Sequence, residues 1–222
     1  MITFYSGTPG SGKSLHMAKE IYSALTFKKR AVIGNFPLDY NVITNNGKKK
    51  AAQYYYVPNE ELTPDYLYNY ALENHELGKE KQTLVCIDEC QLLFNPREHT
   101  KKDRLPWIRF FTEHRRLGFD FILVSQMDSL VDRQIRGLFE YEVKHRKLNN
   151  FGGFVLLPFQ TFVAITYWYP IREKLERSVF RYKKFYGQMY DSGVIFGGRM
   201  KELLDEREKQ QEFHVLTGSG TP

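Results

Sequence analysis

Eight residues close to the amino terminus constrain this chain more than anything else in it. Gly7-Thr8-Pro9-Gly10-Ser11-Gly12-Lys13-Ser14 keeps the spacing G-x-x-x-x-G-K-[ST] and stands between an apolar run, Ile2 to Ser6, and a segment of helical periodicity. The glycines let the backbone curl so that successive N–H groups point at phosphate oxygens. Lys13 brings a mobile positive charge, and Ser14 offers a hydroxyl to Mg²⁺. Leu15, Ala18, Ile21, Tyr22 and Leu25 recur at helical spacing, so the loop is expected to end on a helix whose positive end favours anions. Gly7 to Leu15 is the expected phosphate-binding segment, with ATP and Mg²⁺ as its ligands.

A second signal is "KQTLVCIDECQ". Thr83 to Ile87 is short, apolar and β-branched, as suits a buried parallel strand, and it runs into Asp88-Glu89. In phosphoryl-transfer enzymes a strand of this kind delivers an Asp to the magnesium. A Glu directly after it can orient the attacking water. That assigns Ser14 and Asp88 to the metal and Glu89 to the water, which points to hydrolysis. Cys86 and Cys90 read as packing residues. A third apolar run, "FDFILVSQ", ends in Ser125-Gln126, and Gln126 is the candidate sensor of the terminal phosphate or the water.

Between these strands "RLPWIRFFTEHRRLG" predicts a crossover helix. Pro106 suits its first turn, Trp107, Phe110, Phe111 and His114 share one face, and Gly118 suits its stop. Arg109, Arg115 and Arg116 are then partly outward. After Gln126, "MDSLVDRQIRGLFE" sets Arg133 and Arg136 three apart on a short helix. Ring ATPases use a positive charge, commonly from a neighbouring subunit, to stabilise the transferring phosphate. Arg115, Arg116, Arg133 and Arg136 are candidates, with Arg133 and Arg136 preferred.

"RAVIGNFPL" adds a strand, Ala31 to Asn35, and "NNGKKKAAQYYYV" a lysine-bearing loop entering a short aromatic strand. "LTPDYLYNYALENHELG" has a Thr-Pro start and a Gly78 stop, predicting a helix between them. Strands alternating with helices imply an α/β fold with a mostly parallel sheet and helices on both faces. The texture changes near residue 140. "EYEVKHRK" alternates, with Tyr141, Val143 and His145 expected inward and the charges outward. Leu148 to Ile171 carries no charged residue, but its glycines, Pro158 and β-branched residues fit adjacent strands or a hairpin better than a membrane span. "SVFRYKKFYGQMYDSG" predicts a further strand and then a loop. The organisation expected is a nucleotide-binding core at 1–140, a β-rich extension packed on it at 141–197, and a charged, helical, partly disordered tail at 198–222.

Two cysteines and six histidines argue against a disulfide framework or a structural zinc centre. With no secretory leader ahead of the first strand, a reducing cytoplasm is expected. The formal net charge of +6 favours an acidic partner, nucleic acid or an anionic membrane face. Lys48-Lys49-Lys50, Lys101-Lys102, Arg115-Arg116 and Lys144 to Lys147 could each face single-stranded DNA, or simply solvent.

Together "ITFYSGTPGSGKS", "LVCIDECQ", "TEHRRLGFDFILVSQ", "VDRQIR" and "KKFYGQMYDSG" resemble the Zot (zonula occludens toxin-like) family over roughly residues 1 to 193. The family includes assembly ATPases of filamentous phages. The resemblance implies a RecA/HerA-FtsK-like P-loop ATPase at the cytoplasmic face of the inner membrane. It would act as an oligomeric ring, using ATP to drive export of phage single-stranded DNA or its protein complex with membrane-embedded assembly partners. By position, Lys13 and Ser14 would bind phosphate and magnesium, Asp88 and Glu89 would serve magnesium and water, and Gln126 would be the sensor. Such proteins usually continue into a membrane span, and nothing after residue 193 reads as one, so the chain is expected to be either a short variant tethered by a partner or only the cytoplasmic part. The alternatives are a conjugative or chromosomal DNA translocase, a P-loop kinase, which leaves Asp88-Glu89 unexplained, and a non-enzymatic adaptor with a vestigial loop.

Overall fold

The apolar runs become strands because they are β-branched and aromatic, and because helices cover them from both sides. In the computed structural model, which describes residues 1–97, 101–150 and 159–190, leaving aside the side chains of 101–103 and 150, the strands are β1 (Ile2–Ser6), β2 (Ala31–Gly34), β3 (Tyr54–Tyr56), β4 (Thr83–Ile87), β5 (Phe119–Val124), β6 (Tyr141–Lys147), β7 (Thr161–Trp168) and β8 (Glu173–Arg181). They form one eight-stranded sheet in the order β3-β2-β4-β5-β1-β6-β7-β8. Every pairing from β3 across to β6 is parallel, and β7 and β8 continue antiparallel. This is the expected P-loop NTPase architecture, with strands added on the β6 side. The described residues belong to one compact unit, Met1–Tyr190. The tail expected at 198–222 lies outside the described residues.

The helices are α1 (Lys13–Thr26), α2 (Tyr40–Thr44), α3 (Pro64–Asn74), α4 (Lys101–Glu113), α5 (Arg133–Arg136) and α6 (Lys184–Met189). Alternation along the strands divides two cores. Ile2, Phe4, Val85, Ile87, Phe119, Phe121 and Leu123 pack with residues of α3, α4 and α5. Tyr5 points the other way and stacks on His16 of α1, ring centroids 5.0 Å apart. On α1 the buried set is Lys13, Met17, Ala18, Ile21, Ala24 and Leu25, so Leu15 and Tyr22 of the expected face are only half-buried. The first core is an aromatic cluster. Phe94 meets Trp107 edge-on at 5.1 Å and Phe111 meets Phe121 at 5.1 Å, contacts that add about 0.5–1.5 kcal/mol each beyond the burial itself.

Several boundaries differ from expectation for visible reasons. The hydroxyl of Thr63 caps α3 by accepting from Tyr66 N–H at 3.1 Å, as the Thr-Pro signal predicts. The helix stops at Asn74 and not near Gly78, because His75 turns extended and its ring is held between Leu117 O at 2.6 Å and Thr83 Oγ1 at 2.7 Å. Gly78 instead makes a left-handed turn, φ +86°, and donates to Arg116 O at 2.8 Å. α4 begins at Lys101, ahead of Pro106, which therefore lies inside the helix and not in its first turn. Its inward face is the expected one, with Trp107, Phe110, Phe111 and His114 all buried.

The half-exposed reading of β6 needs correction. Glu142 is 2% exposed, accepting from Ser6 Oγ at 2.8 Å and pairing with Arg172 Nη1 at 2.5 Å. β6 is an interior strand between β1 and β7, so a charge on either face must find a partner. The charge-free run supplies β7, as expected, with residues 151–158 outside the described set, and no helix among the described residues is long and apolar enough to cross a membrane. β8 starts at Glu173, before the expected strand, and lies almost wholly exposed at the sheet margin. The loop expected after it is instead the short helix α6. It forms because Phe185 and Tyr186 pack on Tyr22 of α1, at 4.9 and 6.0 Å.

Candidate active site at the phosphate loop

The loop leaves β1 at the carboxyl end of the parallel strands, where α/β sheets bind ligands. Gly7, Gly10 and Gly12 have φ of +144°, +72° and +93°. Space reinforces the requirement at two of them. A Cβ on Gly7 would lie 2.5 Å from His145 O and 2.7 Å from Ser11 Oγ; one on Gly12 would lie 2.7 Å from the Phe162 ring. β6 and β7 thus buttress the loop from behind. Gly7 N–H donates to Gln126 O at 3.1 Å, and Ser11 N–H to Thr8 O at 3.1 Å. Ser11 Oγ is buried without a hydrogen-bond partner among the described residues.

Lys13 opens α1 and reaches back over the loop, its Nζ donating to Gly7 O at 2.8 Å and Thr8 O at 3.2 Å. Burial lowers the pKa of its ammonium, and the carboxylates of Glu89 and Asp88 oppose the shift. Those carboxylates stand beyond the end of β4. β5 separates β4 from β1, so two strand spacings, about 10 Å, separate the backbones of β1 and β4, and the side chains of the two strand ends reach toward each other across that space. Gln126, following β5, is exposed at the tip of the strand between them.

Asp88 is 7% exposed. Its backbone is clamped by Asn35, which follows β2: Asp88 N–H donates to Asn35 Oδ1 at 2.8 Å and Asn35 Nδ2 donates to Asp88 O at 2.8 Å. Its Oδ1 accepts from Glu89 N–H at 2.9 Å, and its Oδ2 accepts from the Tyr190 hydroxyl. Burial pushes the Asp88 carboxyl up, while the hydrogen bonds from Tyr190 and Glu89 N–H pull it back. Glu89 has left-handed backbone, φ +46°, and Gln91 Nε2 donates to its Oε2 at 2.5 Å. A non-glycine residue in this region is strained by about 1–2 kcal/mol, and such strain tends to collect at functional positions.

The donor set suits magnesium. Ser14 hydroxyl and Asp88 carboxylate are hard oxygen ligands, and the loop has backbone N–H groups and Lys13 for phosphate. Among the described residues no three His, Cys, Asp or Glu converge, so a metal here would draw its remaining ligands from water and phosphate.

The arginines fall into two places. Arg115 pairs with Glu140, whose Oε1 accepts from Ile2 N–H at 3.0 Å. That is the amino end of β1, opposite the loop, and Arg116 is next to it in sequence. Arg133 and Arg136 lie on α5, whose Ile135 packs in the first core, on the face of the sheet away from α1. Arg133 is exposed and Arg136 half-buried, with the charge of Arg136 acting on Asp128 and Tyr169. No contact among the described residues joins either to Lys13, Asp88 or Glu89. Lys144, Arg146 and Lys147 do approach the site. With Ser6 to Ser11 and His145 they line a cleft of about 300 Å³ beside the loop.

Behind that cleft His16 Nδ1 and His145 Nε2 share a hydrogen bond of 2.8 Å. Burial lowers their pKa values to about 4 and about 3. The sequence reading did not anticipate the histidine pair, the Asn35 clamp or Tyr190. The available signals were an Asn ending an apolar strand and a Tyr closing the last shared motif.

Comparison with known proteins agrees with this fold. The family model described as zonular occludens toxin (Zot) matches residues 1–195. The Gene 1 protein of Enterobacteria phage fd is 30% identical over 160 residues, covering 71% of this chain and 44% of that protein. The Gene 1 protein of Enterobacteria phage I2-2 is 39% identical over 77 residues, 34% of this chain and 21% of that one. The chain thus spans less than half the length of these relatives. Among solved structures, the N-terminal domain of zonular occludens toxin from Neisseria meningitidis superposes with a TM-score of 0.55 at 19% identity, covering 86% of this chain and 98% of that one. A second solved structure, the ATPase domain of another protein, gives 0.57 at 9% identity, covering 84% of this chain and 82% of that one. These likenesses support the fold.

Proposed function

Since the chain belongs to the zonular occludens toxin (Zot) family, we propose that it is a magnesium-dependent ATP-hydrolysing motor that drives filamentous-phage DNA export and virion assembly from the cytoplasmic face of the host inner membrane. One observation carries the reading: Lys13 and Ser14 open α1 on one side of a gap, Asp88 and Glu89 close it on the other, and Gln126 stands on the strand between them. A kinase would also use Asp88 for the metal but would leave Glu89 directly after it unexplained, whereas a hydrolase uses Glu89 for the attacking water.

In this reading the loop N–H groups and Lys13 hold the β- and γ-phosphates. Mg²⁺, held by Ser14 and through water by Asp88, would neutralise charge on the phosphate oxygens. Glu89 orients the attacking water and accepts its proton, and Gln126 senses the γ-phosphate. Arg133 and Arg136 lie outside their own protomer's site, which suits a charge supplied to a neighbouring subunit in a homo-oligomeric ring. The basic residues beside the loop and the net charge of +6 suit an acidic cargo, phage single-stranded DNA or its protein complex. Membrane-embedded assembly partners would hold the motor at the membrane face.

The test is ATP hydrolysis by the purified chain with and without single-stranded DNA. Lys13→Ala is expected to lose nucleotide binding. Glu89→Gln is expected to keep binding and lose hydrolysis by at least about a hundredfold, the usual scale for a lost general base. Hydrolysis unaffected by both substitutions sinks the reading. Stimulation by duplex DNA alone would favour the translocase alternative. If Arg133 acts in trans, mixing Arg133→Ala with Glu89→Gln protein restores activity that neither has alone.

A further inference from the structure

One buried group at the site has no part in the mechanism above. Tyr190 is 5% exposed, far from Asp88 in sequence, and its hydroxyl donates to Asp88 Oδ2. Ser14 lies beside the same hydroxyl. The phenol therefore stands between the two side chains assigned to the metal. It is firmly seated: its ring meets Phe36 edge-on at 4.9 Å, and α6, which delivers it, is tied to α2 by Asp39 N–H donating to Met189 O at 3.1 Å.

Magnesium demands near-octahedral oxygen ligands at about 2.0–2.1 Å and keeps several waters. A hydroxyl that donates its proton to Asp88 presents that proton where a cation or its water shell would have to sit. The other carboxylate oxygen accepts from Glu89 N–H, which fixes the orientation of the carboxylate that the phenol covers. We propose that Tyr190 is a positioning residue for Asp88: seated, it withholds the carboxylate and Ser14 from the metal, and magnesium-nucleotide binding and Tyr190 docking exclude one another. α6 and its contacts with α1 and α2 then report the nucleotide state of the loop. The inference rests on the proposed nucleotide site and adds a competitor to it.

The test uses the full chain, a fluorescent non-hydrolysable ATP analogue, and Tyr190→Phe, which keeps the ring against Phe36 and removes only the hydroxyl. In magnesium, Tyr190→Phe is expected to bind the analogue on the order of tenfold more tightly, the scale of one hydrogen bond to a charged group. In EDTA its affinity is expected to equal the wild type's. Independently, hydrogen exchange of the wild-type amides at 184–190, including Tyr190 N–H bonded to Tyr186 O, is expected to accelerate when magnesium and analogue are added together and not with analogue in EDTA.

A merely structural tyrosine would change both affinities alike or neither. That result, or exchange at 184–190 slowed or unchanged by the magnesium complex, overturns the inference and leaves the ATPase reading standing. Failure of the wild type to bind the analogue under any condition overturns the ATPase reading itself, and the competition with it.

Discussion

Gly12→Ala tests whether β7 belongs to the phosphate loop's own support. Gly12 has φ +93° and ψ +13°, so alanine there is strained by about 1–2 kcal/mol whatever surrounds it. The new methyl would also lie 2.7, 2.8 and 3.2 Å from Phe162 Cδ1, Cγ and Cε1. Phe162 has nowhere simple to go, being 4% exposed and stacked on Phe180 at 5.5 Å. Relieving such overlap typically costs about 1–3 kcal/mol, for a total of about 2–5 kcal/mol. Phe162→Ala alone should cost about 3–5 kcal/mol. In the double variant the methyl enters space the ring vacated, so only the backbone strain of Gly12→Ala survives. The pair should therefore be less damaging than the sum by about 1–3 kcal/mol. Urea unfolding of the four proteins, followed by circular dichroism, measures that difference. Additivity within about 0.5 kcal/mol would refute the reasoning, since it would mean that ring and loop do not meet.

Three further outcomes are expected. Glu89→Gly should abolish hydrolysis while raising stability by about 1 kcal/mol, because it releases the left-handed strain; a lowered melting temperature in the nucleotide-free protein would contradict this. His16 and His145 have folded pKa values of about 4 and about 3 against about 6.5 unfolded, so above about pH 6.5 both states are neutral and stability is full. As pH falls through that value the unfolded chain takes up protons the folded one refuses, and stability should drop by at least about 2 kcal/mol between about pH 7 and about pH 5. Flat urea midpoints across that range would disprove it. Among the described residues, Arg172→Ala leaves the buried Glu142 with Ser6 and Lys144 as its partners, the latter at 3.7 Å, and should cost about 1–3 kcal/mol, with Arg172→Ala/Glu142→Gln recovering part of it in thermal melts.

What was legible in the sequence was what is local. Gly7 to Ser14 declares its turn, charge and helix within a single short stretch, and Thr83 to Glu89 declares a buried strand ending in two carboxylates. The burial of Glu142 could not be read because its partner, Arg172, lies 30 residues further on and lets a charge take a position that alternation assigns to solvent. The end of α3 escapes the sequence for a related reason. Glycine is an intrinsic stop signal, but His75 is pulled out of the helix by Leu117 and Thr83, contacts that only the assembled sheet creates. Tyr190 is the extreme case, since its partner in the carboxylate pair is separated from it by most of the fold.

The margin formed by β8 has a bearing on how the protein behaves when concentrated. A nine-residue strand at the edge of a sheet offers a ladder of backbone groups on which stray chains could build fibrils. Here Glu173, Lys174, Glu176, Arg177 and Arg181 punctuate it with both signs of charge, so a second β8 arriving in most registers meets repulsion or must strip water from an ion. Replacing Lys174, Glu176 and Arg177 with threonine would leave the fold intact but convert a self-limiting surface into a seed for precipitation.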